Sequence, residues 1–304
     1  KHAARKKEIN EKYDWWEDID LNDCNSILKD KMLNGENLHE EQVAYLHEWL
    51  EDFYKKEKMS IIYDKAKGCL VGLVAGDDNG GPTAMMTEVL NSFLGEPVVD
   101  IEGIGRLYLQ WFKEDGYDAG LVTHKVLELV DSGLSFDEAA LQVHKDLDGM
   151  TAGISPAHRS IPLAIIFAKH HLQTPELWGR YSTAGIRWLT DAVDQEAKLT
   201  HLHNDASEVS QAVNAICMYL ILGHPLEKSL RFGSYFIKNN LNNRFQRVGY
   251  HSSDEIKSLS IGDLNDGGYA PDVLIVAIWF LLNTDTFEEA LKQSKEFAGV
   301  ANYC

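Results

Sequence analysis

The sequence predicts an all-α fold: a compact domain of about ten or more helices behind a helical N-terminal extension. Three observations carry this. Apolar residues recur at three- and four-residue spacing from about residue 60 onward. Helix-start signatures punctuate that pattern at short intervals. Strand signals are weak, with no long alternating run and no Asn-Gly or Asp-Gly turn between alternating apolar stretches.

Residues 1–57 form a charged, mixed segment that reads as a separate extension. Within it, Asn37 with Glu40 makes a capping-box-like start, and Val43, Leu46, Leu50 and Phe53 follow at helical spacing. Trp15 and Trp16 among acids read either as a docking segment for a protein partner or as a loosely packed arm.

Residues 60–75 are apolar over most of a helical surface and predict a central buried helix. Gly68 and Gly72, one turn apart, would admit a close neighbour. Pro82 suits the first turn of the next helix. Asp100 can cap a helix bearing Ile104, Leu107, Tyr108 and Trp111. Ser135 with Glu138 is a capping box. Thr174-Pro175 opens a helix with Leu177, Trp178 and Tyr181. Residues 205–222 carry Ala206, Val209, Ala212, Val213 and Ile216 on one face. Pro271 opens the apolar helix that contains Trp279, and Thr286 with Glu289 caps the next.

Of the 304 residues, 44% are hydrophobic and 25% charged, ordinary values for a globular protein. Lys and Arg total 29 against 47 Asp and Glu, a formal charge of −18. That balance argues against a nucleic-acid partner, which needs clustered cations. An anionic small ligand would need local help from a metal, a helix N-terminus or a few placed cations. The four cysteines, Cys24, Cys69, Cys217 and Cys304, are scattered and form no CxxC pair. They read as free thiols in a reducing, intracellular compartment, the cytoplasm by preference. No apolar run reaches the roughly 18 residues of a membrane span, and no signal-peptide core opens the chain. The chain lacks an initiator Met and stops abruptly at Cys304, so it reads as part of a longer protein.

Five loops combine small residues with acids, His or Arg, and each precedes a helix: 76–83, 115–124, 151–162, 198–207 and 264–272. Converging helix N-termini would favour an anion. Each candidate has two readings. Asp77 and Asp78 are a helix-end cap or metal ligands. Thr83 is a first-turn hydroxyl or a ligand. Asp118 caps the following helix or acts as an acid. Arg159 makes an internal ion pair or a ligand contact. His158 and His201 are buried hydrogen-bonded histidines or pocket residues. His201 and His203, two apart, do not share a helix face, which argues against a two-His metal site. There is no GxSxG elbow, no GxxxxGK[ST] loop, no HExxH and no EF-hand spacing.

The order and content of these loops resemble the ADP-ribosylglycohydrolase family, all-α hydrolases that release ADP-ribose. The resemblance rests on GCLVGLVAGDDNGGP (68–82), WFKEDGYDAGLVTH (111–124), GISPAHRSIP (153–162), Thr200-His201 and GGYAPDVLIVAIWFLLNTDTFEEAL (267–291). It implies the orthogonal multi-helix fold of that family over residues 58–304, with the C-terminal end cut short. It also implies an ADP-ribose-like ligand. Asp118 would engage substrate or attacking water, and Gly153 and Ser155 the diphosphate through backbone N–H groups. His158 and Arg159 would add positive potential. His201, Gly268 and Tyr269 would complete the pocket.

The family's binuclear magnesium site needs paired carboxylates on two motifs. Here the pattern departs. Gly81 and Pro82 stand where acids belong ahead of Thr83, and Val300 and Asn302 take the two C-terminal aspartate positions. Asp77, Asp78 and Asn302 remain as metal candidates, and Asp78 with Asp118 as catalytic candidates. A carboxylate–cation contact at about 4 Å is worth about 4 kcal/mol at an effective dielectric near 20. Losing several therefore predicts an impaired centre and impaired hydrolysis. The alternative is a catalytically inactive structural subunit docked through residues 1–57.

Overall fold

A computed structural model describes residues 60, 62–93, 99–173, 183–238 and 253–298. The expected extension over residues 1–57, the helix opening at Thr174-Pro175 and Asn302 lie outside these residues. Contacts divide the chain into two units, Lys1–Tyr63 and Asp64–Cys304. Nearly all of the described residues belong to the second unit.

Among the described residues the elements are helical. A helix over residues 62–76 (α1) leads to α2 (Gly81–Asn91), α3 (Ile101–Glu114), α4 (Leu121–Asp131) and α5 (Phe136–Asp146). The short α6 (Ser155–Arg159) runs almost directly into α7 (Ile161–Gln173). Then come α8 (Thr183–Lys198), α9 (Asn204–Ile221), α10 (Leu226–Lys238), α11 (Ser253–Lys257), α12 (Ala270–Asn283) and α13 (Phe287–Ala298). No helix among the described residues is long and apolar enough to cross a membrane.

The expected starts form as local hydrogen bonds. The Asp100 carboxylate accepts from the Gly103 N–H at 2.9 Å. Ser135 and Glu138 make both halves of their capping box. Pro82 and Pro271 sit in the first turns of α2 and α12. Thr286 Oγ1 accepts from the Glu289 N–H at 3.1 Å. Each such cap satisfies a donor that the helix itself cannot.

α9 is the central helix. It packs against α6, α7, α8, α10 and α12. Its small residues Ala206, Ser207, Ser210, Ala212 and Ala215 are all buried, which lets several helices approach at once. α10 approaches so closely that a Cβ on Gly233 would lie 2.3 Å from Ile216 Cγ1. Asn214 serves the break between α6 and α7: its Nδ2 donates to Ser160 Oγ at 2.7 Å, and its Oδ1 accepts from the Ala164 N–H at 3.2 Å. One apolar core joins Ile154 and Ala157 to Val209, Ile216, Leu230, Val273, Leu274 and Ile278. A second, built on Val126, Ala139, Ala140 and Val143, joins α4 to α5. Burying each such aliphatic side chain contributes about 2 kcal/mol.

α1 departs from expectation. It forms where predicted, but it is not buried all round: Val71 and Val74 are more than half exposed, at 55% and 51%. Apolar composition fixed its helicity but not how many neighbours cover it. A Cβ on Gly68 would meet nothing within 4 Å among the described residues, whereas one on Gly72 would meet the Phe287 ring at 3.7 Å. Gly76 in turn faces Leu291. The register steps by four in the same direction on both helices, so α13 runs alongside α1 and carries Lys295 to its C-terminal end.

Candidate functional site

Two of the glycine- and acid-rich loops are built into each other. The chain leaves α1 and turns at Gly80, in the left-handed region with φ 90, to start α2. Asp77 holds that turn. One carboxylate oxygen accepts from the Gly80 N–H and the other from the Thr83 N–H, both at 2.7 Å. An anion accepting first-turn N–H groups is favoured by the helix dipole. Asp118, itself left-handed at φ 50, presses on this turn from the α3–α4 loop. The Gly81 N–H donates to its carboxylate. Only glycine fits at position 81, because a Cβ there would lie 2.1 Å from the Asp118 carbonyl oxygen. Burial first, and then the Asp77 charge, push the Asp118 carboxyl above the usual carboxylate range, and the Gly81 bond opposes them. The Thr83 hydroxyl beside them is buried and has no hydrogen-bond partner among the described residues.

Asp78 faces another way. Its carboxylate pairs with the Lys295 ammonium on α13. In this geometry Asp77 caps the turn into α2 and Asp78 pairs with Lys295.

A second group lies on α6, α9 and α12. An isolated antiparallel bridge ties Gly153 to Tyr269, and the Ala270 N–H donates to the Ala152 carbonyl at 2.9 Å. The Tyr269 hydroxyl donates to the Asp205 carboxylate. Gly268 precedes this tie and Ser155 opens α6 just beyond it. His201 lies behind Gly153, where a Cβ would come 3.2 Å from its Nε2. Its Nδ1 is 2.8 Å from Thr200 Oγ1, which in turn accepts from Arg159 Nη2 at 2.8 Å. Burial first, and the Arg159 charge second, hold His201 well below the usual histidine range.

Arg159 makes the internal pair. It and Glu196 have no exposed side-chain surface, and Arg159 Nε donates to Glu196 Oε1 at 2.6 Å. Tyr108 donates its hydroxyl to the same oxygen at 2.8 Å, and the guanidinium carbon sits 4.9 Å from the centre of the Tyr108 ring. Arg159 thus holds α6 on α8 from behind. His158, one residue earlier, lines an apolar cavity between α1, α6, α9 and α12. Because α2 packs on α6, the two groups adjoin.

The structure therefore brings together Asp77, Asp118, Gly81 and Thr83, and separately Gly153, His201 and Tyr269. It separates Asp78 and buries Arg159. Glu196 and Asp205 are the partners that sequence reasoning did not find. No local spacing signals either of them: Glu196 is 37 residues from Arg159, and Asp205 is 64 from Tyr269.

A hard divalent cation needs several oxygens converging at about 2.1 Å. Among the described residues no group of three or more His, Cys, Asp or Glu side chains is placed to hold a metal. Both Asp77 oxygens already serve backbone donors, and Asp78 is turned to Lys295. These donors do not fit a two-metal centre.

A family model described as ADP-ribosylglycohydrolase matches residues 58–299. The ADP-ribosylarginine hydrolase Tri1 of Serratia proteamaculans (strain 568) is 24% identical over 266 residues, which cover 75% of this chain and 65% of that protein. This chain thus spans less than two thirds of that relative's length. A solved structure described as an ADP-ribosylglycohydrolase-related protein complex superposes with a TM-score of 0.60 at 20% identity, covering 80% of this chain and 84% of the other. At that identity the likeness is one of fold.

Proposed function

The chain belongs to the ADP-ribosylglycohydrolase family, and on that premise we propose that it binds an ADP-ribose group and cleaves its glycosidic bond poorly or not at all. The observation that carries this is the buried Thr83 hydroxyl, which has no hydrogen-bond partner among the described residues, beside the Asp77–Asp118 carboxylates. A buried hydroxyl left without a partner costs about 1–3 kcal/mol, which a bound ribose hydroxyl would recover.

In this reading the ribose lies against Thr83 and Asp118. The Asp118 carboxylate accepts from a ribose hydroxyl or from water at the anomeric carbon. The diphosphate lies along the backbone N–H groups of residues 153–155, beside His158. His201 acts from behind: as a neutral imidazole it keeps Gly153 in place without adding charge. Tyr269 and Gly268 close the far wall through the bridge to Gly153. In a metal-loaded relative, the cation would activate water. Here the Asp77 and Asp78 carboxylates are committed to backbone and Lys295, and no step is assigned to a metal.

ADP-ribosylarginine is the first modified substrate to test, because the Tri1 relative is an ADP-ribosylarginine hydrolase. Calorimetric titration with ADP-ribose should give binding that Asp118→Asn and Thr83→Val each weaken by about tenfold, that is, by about 1.4 kcal/mol. No heat and no thermal shift at millimolar ADP-ribose would refute the pocket. Magnesium-dependent release of ADP-ribose at the rate of an ordinary enzyme would refute the loss of hydrolysis.

The alternative, a non-catalytic subunit docked through residues 1–57, draws support from the family match beginning at residue 58. Deleting residues 1–57 should then abolish partner binding and leave ADP-ribose binding unchanged.

A further inference from the structure

The first and ninth helices cross in an antiparallel register that the sequence does not reveal. The Lys65 ammonium donates to the Leu220 carbonyl at 3.1 Å. One turn further along α1, Cys69 meets Cys217, one turn back along α9, and their thiols share a hydrogen bond. One turn further again, Leu73 and Val213 line the same cavity as the two cysteines. Residues 65, 69 and 73 lie on one helical face, opposite 220, 217 and 213 in reverse order, so the thiol contact belongs to the packing of two whole helices. The cavity beside the thiols measures about 230 Å³ and is lined also by Ile154, Ala157 and Leu274. It has room for a small oxidant at the sulfurs.

We propose that Cys69 and Cys217 form a redox-reactive dithiol that closes to an intramolecular disulfide when it meets a hydroperoxide. The placement of Lys65 one turn from Cys69 on α1 assigns the roles, and the proton affinities of the two thiols agree with it. The hydrogen bond from Cys217, with help from the Lys65 ammonium, holds the Cys69 thiol below the usual range against its burial. The Cys217 thiol is held well above the usual range by donating that bond, by burial and by the charge on Cys69. The thiolate is the nucleophile, so Cys69 attacks and Cys217 resolves.

The step balances. The Cys69 thiolate attacks the terminal peroxide oxygen, the O–O bond breaks, and the alkoxide or hydroxide leaves and takes up a proton. Cys69 is now a sulfenic acid. Cys217, giving its proton to the departing hydroxyl, attacks the Cys69 sulfur. A disulfide and one water result, and the peroxide has been reduced by two electrons. Cys69 and Cys217 are not among the proposed ADP-ribose contacts, although the cavity beside them is also lined by Ile154 and His158, which are; the experiment below uses no ADP-ribose, so its outcome is read separately from that reading.

The full chain should be treated with hydrogen peroxide, alkylated under denaturing conditions and mapped by mass spectrometry. The expected product is a Cys69–Cys217 linked peptide pair that dithiothreitol reverses, with Cys24 and Cys304 alkylated. Recovery of Cys69 and Cys217 as alkylated thiols, or linkage of either to Cys24 or Cys304, would overturn the proposal. In Cys217→Ala, dimedone should trap a sulfenic acid at Cys69. In Cys69→Ala, Cys217 should react more slowly than Cys69 does in the first variant, because the Lys65 charge that favours the Cys69 thiolate remains there and burial still disfavours a Cys217 thiolate. Equal rates would overturn the assignment of roles. Circular dichroism of both variants checks that the fold persists.

Discussion

Glu196→Gln tests the frame behind the site. The substitution keeps the size of the side chain and an oxygen for the Tyr108 hydroxyl, but it removes the charge that faces Arg159 2.6 Å away. Arg159 has no exposed surface and cannot lose its proton, so its cation is left uncompensated in the interior. Breaking one side of a buried pair costs about 3–5 kcal/mol. In a chain of this size each kcal/mol moves the melting temperature by about 2–4 °C, so the expected fall is about 6–20 °C. Arg159→Met should cost less, because Glu196 can take up a proton and stay bonded to Tyr108. The double variant Arg159→Met/Glu196→Gln should recover part of the loss, leaving a coupling of about 2 kcal/mol or more in a urea-unfolding cycle. Because no solvent reaches the pair, the coupling should survive added salt. A Glu196→Gln protein within about 1 kcal/mol of the parent, or strictly additive single effects, would refute the claim that this ion pair fixes α6 on α8.

Gly81→Ala should destabilise by about 1–3 kcal/mol and weaken ADP-ribose binding, since its methyl would sit 2.1 Å from the Asp118 carbonyl oxygen. Gly68→Ala is its control and should be neutral or stabilising by up to about 1 kcal/mol, because its methyl meets nothing among the described residues. Lys295→Ala should change unfolding by less than about 1 kcal/mol, as the Asp78 side chain opposite is 60% exposed. His201 carries a pH dependence. Its folded pKa is depressed, so below the unfolded value near 6.5 the unfolded chain takes up a proton that the folded chain refuses. Its contribution is thus fully present above about pH 6.5 and is lost as pH falls, by up to about 1.4 kcal/mol per unit. Urea melts at pH 7.5 and 5.5 should show this loss in the parent but not in His201→Gln; equal slopes would show that His201 protonates freely in the folded state.

How much could be read from the residues alone depends on the range of the forces involved. Helix starts are decided by partners three residues apart, and Asp100, Ser135 with Glu138, and Thr286 with Glu289 all behave as their local chemistry requires. The burial of α1 was not local. Val71 and Val74 follow the pattern of a core helix, but no described neighbour covers them, because apolar composition specifies a preference and not a partner. The loops that matter were legible as loops. Their charge partners were not, since Arg159 with Glu196, Tyr269 with Asp205 and Cys69 with Cys217 join distant segments through side chains that leave no local periodicity.

The two acids of the first loop sharpen that distinction. Adjacent in sequence, Asp77 and Asp78 look like a pair, and adjacency is the feature a metal reading rests on. Neighbours at a helix start diverge, and here one carboxylate turns inward to cap α2 while the other reaches α13. The pair that exists is Asp77 with Asp118, brought together because position 81 has no side chain. Its electrostatics follow from that contact. The Asp118 carboxyl is raised by burial first and by the neighbouring Asp77 carboxylate second. Asp77→Asn should therefore lower the Asp118 pKa toward the ordinary carboxylate range, which a carbon-detected NMR titration can follow. An unchanged Asp118 titration would mean that burial alone sets its proton affinity.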